Sequence, residues 1–302
     1  MLPAERDFYL TQSVQDEPGA MADKLAQLPT GPDELALLVR RLLMHREETG
    51  SFGCALPDSR HRAEAEARCV DGILEIVAGL GGVRPTAPRR PADRFAGTCR
   101  DFALLHCALL RHSGTPARVR CGYATYFAPG FHDDHWVTEY AHPERGWTLC
   151  DPQVVPDRAE KGYELDFDPL DVPRERFLVA GEAWRLCRTG AADAATFGVS
   201  VLGLTGLWTV RANVVRDLAA LNRAEVLPWD TWGVGDSEPA SAPDDEELTV
   251  LDEAARIMAE GGFADLRELY LTTPSLRVPR TLTAHAAFAG DAGPGSRENA
   301  GA

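Results

Sequence analysis

Three short stretches of this chain carry residue types that could do covalent chemistry together. They are Gly97-Thr98-Cys99-Arg100-Asp101, Asp134-His135-Trp136 and Leu149-Cys150-Asp151-Pro152. Taken in order they supply a thiol, an imidazole and a carboxylate. A thiolate can attack an acyl carbon, an imidazole can move the proton, and a carboxylate can hold the imidazole's tautomer and orientation. The chemistry requires that the fold bring Cys99, His135 and Asp151 together, so the elements that carry them decide the reading.

Cys99 opens a helix. Phe102, Leu105, Leu109 and Leu110 form its apolar face, and Ser113-Gly114-Thr115-Pro116 stops it. A thiol in a first turn lies beside backbone N–H groups and the positive end of the helix dipole, both of which favour the thiolate. Thr98 is placed to cap that helix and Gly97 to allow a close backbone approach. Asp101 suits the helix start but opposes thiolate formation, so its first role is structural. After the helix the period becomes alternating. Residues 117–127 read as a strand, 135–141 as a second and 147–151 as a third, with Pro143-Glu144-Arg145-Gly146 as the turn between the last two. Pairing across that turn sets His135 directly opposite Asp151, or nearly so, on one face of the sheet.

The rest of the chain reads as mostly helical. Helices are predicted over 33–49 and 61–79, then over 174–188, 206–222, 245–260 and 264–271. Residues 84–94 form a loop rich in Pro and Arg, residues 153–173 are polar, and Ser237–Glu247 is an acidic linker. The acidic run at 244–247 caps a helix start. The last residues, about 286–302, have the Gly-, Ala- and polar-rich composition of a disordered tail.

Composition narrows the partners. With 302 residues, 44% hydrophobic and 25% charged, the chain can build a core. Against 46 acidic residues stand 31 basic ones, a formal charge of -15, which argues against nucleic acid or an anionic membrane surface as partner. The first residues lack the pattern of a secretory signal, and no apolar run approaches the roughly 20 residues that span a bilayer, so a cytoplasmic location is expected. Seven cysteines without CxxC pairs are then expected to be thiols. Cys107, Cys121 and Cys150 are expected in the core. The run His132-Asp133-Asp134-His135 has ligand types that suit zinc, but four consecutive residues entering a strand rarely converge on one ion, so no metal is assigned. His132 is expected in a loop. Trp184, Trp208, Trp229 and Trp232 have the spacing and neighbours of core residues.

The ordered set of Gly97-Thr98-Cys99-Arg100-Asp101, an apolar helix, Gly114-Thr115-Pro116-Ala117-Arg118, an alternating strand, Asp134-His135 and Asp151-Pro152 resembles the core of the transglutaminase-like superfamily. The match covers roughly residues 95–153. It implies an α+β fold of papain-like type, with the Cys-bearing helix packed on an antiparallel sheet and a mainly helical C-terminal part. It also implies Cys99 as nucleophile, His135 as base and acid, and Asp151 as the residue orienting His135. On this resemblance, residues 1–94 form the N-terminal helical part of the core, 95–153 the catalytic core, 154–285 the helical C-terminal region and 286–302 the tail. Residues 177–185 and 227–230 look like parts of uncharacterised bacterial transglutaminase-like proteins, a likeness that supplies no function. Members of the superfamily place an aromatic residue two positions after the His. Here Trp136 follows at once and points to the other face, which leaves the wall beside His135 unassigned, while Glu139 keeps the usual spacing.

These readings converge on cysteine-dependent acyl transfer to or from a peptide or small-molecule amide, by transamidation or hydrolysis through a thioester at Cys99, without a cofactor. Backbone N–H groups at the start of the Cys99 helix are the natural oxyanion donors. The alternative is a non-catalytic peptide-binding or interaction module on the same fold, with the helical C-terminal half as a surface for oligomerisation or a partner protein. A concentration-dependent mass in solution separates that use of the surface from intramolecular packing.

Overall fold

Periodicity in the sequence becomes structure wherever no distant residue competes for the backbone. The computed structural model describes residues 1–25, 27–81, 86–157, 163–236, 242–284 and 295–298. The chain divides into two units, Met1–Val119 with Val137–Val172, and Arg120–Trp136 with Pro173–Ala302.

The first unit holds helices α1 (Pro3–Leu10), α2 (Ala22–Leu25) and α3 (Pro32–Leu42), strand β1 (Leu43–His45), helices α4 (Asp58–Ala65) and α5 (Val70–Gly79), strand β2 (Phe95–Gly97) and helix α6 (Cys99–His112). Strands β3 (Ala117–Ala124) and β4 (His132–His142) run through the division, and β5 (Gly146–Cys150) returns antiparallel to β4. Helix α6 is buried from Cys99 through Arg111, as expected of a helix packed on all sides. Thr138 Oγ1 on β4 donates to the carbonyl of Ala103 on α6 at 3.1 Å. At the far end Gly114 takes φ +88°, and the N–H groups of Gly114 and Thr115 close on the carbonyls of Arg111 and Leu110.

Two helices predicted from the sequence are interrupted, and in both places a remote backbone or side chain is the cause. The helix predicted over 33–49 ends at Leu42, because Leu43 and Met44 are fully buried in a parallel pairing of β1 with β2, Leu43 opposite Phe95 and Met44 opposite Ala96. The helix predicted over 61–79 is two helices. The Arg100 guanidinium donates to the carbonyl of Arg68 at 2.6 Å and approaches that of Ala67 at 3.4 Å, in the break between α4 and α5. Glu64 on α4 turns inward, accepting the Ala96 N–H at 2.5 Å and the Arg60 guanidinium.

The second unit adds β6 (Phe177–Val179), α7 (Ala180–Arg188), β7 (Phe197–Val199), β8 (Leu204–Thr205), α8 (Leu207–Leu221), β9 (Asp230–Thr231), α9 (Asp245–Glu260), α10 (Phe263–Thr272), β10 (Thr281–Ala284) and β11 (Gly295–Glu298). The main sheet has the order β6-β3-β4-β7-β8, with β5 on β4, and β9, β10 and β11 make a separate antiparallel sheet. Helix α8 is buried from Thr209 to Leu221 and packs against α7 and α9. Gly122 on β3 is required where β6 crosses, since a Cβ there would lie 2.2 Å from the Leu178 carbonyl oxygen. The fold is therefore α+β, with helices dominating the C-terminal part. The predicted helix at 174–188 starts later, at Ala180, because residues 177–179 pair with β3.

Asp244 caps α9 as expected, accepting the Glu247 N–H at 2.9 Å while Glu247 accepts that of Asp244 at 3.1 Å. In the stretch expected as a disordered tail, Gly295–Glu298 is instead a strand, with Glu298 opposite Thr281 on β10, whose backbone it completes. The remainder of that stretch and residues 237–241 of the acidic linker lie outside the described residues. Trp184, Trp229 and Trp232 are buried, and Trp184 Nε1 donates to Asp252 at 2.7 Å, which fits the interhelix packing expected of them.

A buried ion pair anchors β3 to α8. Arg120 Nε and Nη2 donate to Asp217 at 2.9 and 2.8 Å, and the Cys121 N–H adds a third bond at 2.9 Å. Asp217→Ala strands a buried guanidinium and is expected to cost about 3–5 kcal/mol, measured as a lowered urea midpoint. In the first unit, His106 is buried mid-helix, with Nε2 3.1 Å from the Pro32 carbonyl oxygen and no protein partner at Nδ1. Burial lowers its pKa from the ordinary 6.5 to about 4. The unfolded chain therefore binds this proton at a higher pH than the native one does. The stabilisation is complete above about pH 6.5 and is lost as pH falls toward 4, amounting to about 2 kcal/mol lost at pH 5. Unfolding free energies from urea titrations at pH 7.5 and pH 5 are expected to differ by that much less in His106→Gln.

Candidate active site

Cys99 is the first residue of α6 and is 9% exposed. The turn that presents it is held by Asp101. Its Oδ2 accepts the Thr98 N–H at 2.8 Å and the Thr98 hydroxyl at 3.1 Å, and its Oδ1 accepts from the Arg100 guanidinium at 3.1 Å. Burial pushes the Asp101 carboxyl up, while Arg100 and Thr98 pull it back toward the ionised form. Asp101 is thus structural, as its position in the first turn suggests. Gly97 leaves room for it: a Cβ there would stand 2.8 Å from the Phe95 ring and 2.9 Å from Asp101 Oδ2. The result is a thiol at the positive end of a buried 14-residue helix, an environment that favours thiolate.

Asp151 lies in the same unit as Cys99, directly after β5, and is fully buried. Its N–H donates to the Pro169 carbonyl at 2.8 Å, and its Oδ1 accepts the Gln153 N–H at 3.0 Å. The β4–β5 register is the nearly opposite one of those the hairpin allows. Thr138 pairs with Cys150, Glu139 with Leu149 and His142 with Gly146. Carried one step past Cys150, this register sets Asp151 against Val137, two residues along β4 from His135. Pro143, Glu144 and Arg145 form a three-residue loop between paired His142 and Gly146. His142 Nδ1 accepts the N–H groups of Glu144 and Arg145 at 3.2 Å each, and Gly146 takes φ +74°.

His135 belongs to the second unit, on the part of β4 that runs beside β7, and is 2% exposed. Three rings surround its imidazole edge-to-face. Phe127 stands at 4.9 Å and 74°, Tyr126 at 6.0 Å and 87°, and Phe177 at 6.3 Å and 71°. These residues supply the wall that the sequence left unassigned. Trp136 is fully buried, and no group among the described residues accepts its Nε1–H. The signal available in the sequence was the Tyr126-Phe127 pair at the end of a strand; Phe177 is brought in by β6 and could not be read locally. Glu139, which keeps the family spacing, accepts Arg118 Nε at 2.7 Å, and that guanidinium stacks 3.9 Å over the Trp147 ring.

The acidic and imidazole groups before His135 go to separate partners. His132 is the first residue of β4 rather than part of a loop. It stacks on Phe197 at 4.0 Å, with Nδ1 3.3 Å from the Thr196 carbonyl, and desolvation lowers its pKa. Asp133 accepts the Ser200 N–H at 2.9 Å. Desolvation pushes the Asp134 carboxyl up, opposed by Arg216. No group of three or more His, Cys, Asp or Glu side chains among the described residues is placed to hold a metal ion. Cys107, Cys121 and Cys150 are fully buried, and burial pushes the Cys150 thiol well up. None of the seven cysteines forms a disulfide.

A Cys-headed buried helix followed by an antiparallel hairpin is the core of the papain-like class of α+β folds. Residues 83–152 match the family described as the transglutaminase-like superfamily, and that segment, which contains Cys99, His135 and Asp151, is a domain of this superfamily. A curated relative is the protein-glutamine gamma-glutamyltransferase of Pseudomonas aeruginosa strain PAO1, 38% identical over 82 residues. That alignment covers 24% of this chain and only 12% of the relative. Among solved structures, the periplasmic domain of TgpA from Pseudomonas aeruginosa is 26% identical, with 54% of this chain and 52% of that one covered and a TM-score of 0.32. A protein from Cytophaga hutchinsonii, provisionally named a cysteine protease, is 18% identical, with 59% and 46% covered and a TM-score of 0.35. The superfamily is generally one of cysteine-dependent acyl transfer or proteolysis.

Gly97→Ala is expected to push the Asp101 carboxylate off the Thr98 N–H. The cap is worth about 1 kcal/mol, so the melting temperature should fall. Asp101→Asn should lower it further, because a buried Arg100 then lacks its counter-ion.

Proposed function

We propose that the protein is a cysteine-dependent acyl-transfer enzyme acting on an amide. The observation that carries this reading is Cys99 at the capped start of a buried helix inside a transglutaminase-like domain that also contains His135 and Asp151. The Cys99 thiolate attacks the amide carbonyl carbon, and the C–S bond forms as the carbonyl electrons move to oxygen. N–H groups of the first turn of α6 stabilise that oxyanion. The protonated His135 gives its proton to the amide nitrogen, the C–N bond breaks, and the amine leaves a thioester on Cys99. His135 then takes a proton from the incoming nucleophile, whose attack releases the acyl group and restores the Cys99 thiolate and the protonated His135. Asp151 holds the imidazole in the tautomer these transfers need.

The amide belongs to a peptide or a small molecule. The name of the Pseudomonas relative favours a glutamine carboxamide as one substrate of the right class. An amine acceptor gives transamidation and water gives hydrolysis, with the same residues serving both.

Iodoacetamide labelling of each cysteine against pH, mapped by peptide mass spectrometry, tests this without a known substrate. Cys99 is expected to label rapidly well below the ordinary thiol pKa of about 8.5, while buried Cys107, Cys121 and Cys150 stay unlabelled in the folded protein. Labelling of Cys99 no faster than that of the half-buried Cys54 and Cys187 would sink the nucleophile assignment and leave the binding-module reading. Asp151→Asn should keep the melting temperature within a few degrees and cut turnover by about 10⁴-fold on any amide the enzyme is found to use. Cys99→Ala should abolish thioester formation while the protein stays folded.

A further inference from the structure

Glu48 lies outside the domain matched at 83–152. It ends the short turn Arg46–Glu48 that follows β1. Its Oε1 accepts from Gln153 Nε2 at 2.9 Å and also from the Tyr163 hydroxyl, and its Oε2 faces Nη1 of buried Arg40 at 3.4 Å. Gln153 is the residue whose backbone N–H donates to Asp151 Oδ1 at 3.0 Å. Glu48 therefore grips the side chain of the residue whose main chain grips the Asp151 carboxylate. Gln153 is 4% exposed, and its Oε1 has no partner among the described residues. Its carboxamide is held through Nε2 alone, by Glu48 and, at 3.4 Å, by the Tyr163 hydroxyl. Four residues further along the same loop, Asp157 is held by Arg41 through two bonds of 2.7 and 3.2 Å.

We propose that Glu48 is a positioning residue for Asp151, acting through Gln153; this rests on the triad reading given above. A carboxylate that orients an imidazole is effective only over a narrow range of angles, and the groups that hold it set that range. Asp151 follows the last paired residue of β5, and the Gln153 N–H is one of the groups that hold its carboxylate. The Asx-type bond from Gln153 is local and weak alone. Anchoring the Gln153 side chain to a carboxylate that is itself paired with Arg40 makes that bond part of a fixed frame. Burial pushes the Glu48 carboxyl up, with the Asp151 charge adding to it, while Arg40 and Gln153 pull it down. The two carboxylates thus sense each other, and Arg40 offsets their repulsion.

The test is the pH profile of Cys99 alkylation by iodoacetamide in full-length protein, with melting temperature followed in parallel. Glu48→Ala is expected to slow labelling at pH 6 by about tenfold to a hundredfold and to move the profile up toward that of an ordinary thiol. Glu48→Gln keeps an acceptor oxygen for Gln153 Nε2 and should recover most of the loss, which a merely structural role would not require. Tyr163→Phe removes one donor to Glu48 and should give a smaller shift in the same direction, which keeps the test decisive if Glu48→Ala does not fold. An activated Cys99 in the wild-type protein whose profile is unmoved by Glu48→Ala, or by Tyr163→Phe where Glu48→Ala does not fold, overturns this assignment alone. If wild-type Cys99 shows no activated thiolate, the triad reading falls and this assignment falls with it.

Discussion

A helix that is buried from its first residue cannot use water to satisfy its first turn. Helix α6 is in that position, and much of the first unit answers the constraint. Asp101 caps it from within, Thr98 completes the cap, and Gly97 leaves out the Cβ that would displace the carboxylate. Asp101 is then a buried charge and needs a counter-ion, which Arg100 supplies. Arg100 has further donors to place, and they go to the carbonyls of Ala67 and Arg68, which breaks the preceding helix in two. Strand β2, which delivers the chain to Cys99, is fixed in turn by β1 and by Glu64. One capped helix start therefore reaches through residues nearly sixty positions apart.

The two units use the same device where strand β3 passes through both. Arg118 in the first ends on Glu139, and Arg120 in the second ends on Asp217. Such pairs add little net stability, because desolvation offsets most of the attraction, but removing one partner is costly. They fix placement more than they strengthen the fold. On β4 the two units divide the strand, His135 lying on one part and the β5 pairing beginning on the other.

What the sequence discloses and what it conceals follows from the range of the interactions. Helix α6, its stop at Gly114, the hairpin, and helices α8, α9 and α10 all come from local periodicity and caps, and they are found close to where these signals place them. Strand β1 is concealed because Leu42, Leu43 and Met44 continue a helical pattern until β2 pairs with them. The break at residues 66–69 is concealed because its cause is Arg100, more than thirty positions on. The hairpin itself is legible to within a step of its register, and its turn is closed by the His142 side chain, which accepts two turn N–H groups. The rings around His135 divide in the same way: Tyr126 and Phe127 are near in sequence, whereas Phe177 arrives through a strand pairing.

The same division by range bears on where the matched segment ends. Residues 83–152 carry the family match, yet the loop that begins with Asp151 is tied at Gln153 and Asp157 to Glu48 and Arg41, both contributed by the N-terminal segment. A carboxylate at the end of a strand needs an external frame, and here α3 and the turn after β1 supply it. The matched segment alone would keep Cys99, His135 and Asp151 and lose the residues that fix one of them. The N-terminal helices are for that reason part of the same compact unit as Cys99 and Asp151 rather than a separate covering for it. The sequence pattern of the superfamily spans Cys99, His135 and Asp151, while the contacts that hold Asp151 reach residues that no short motif records.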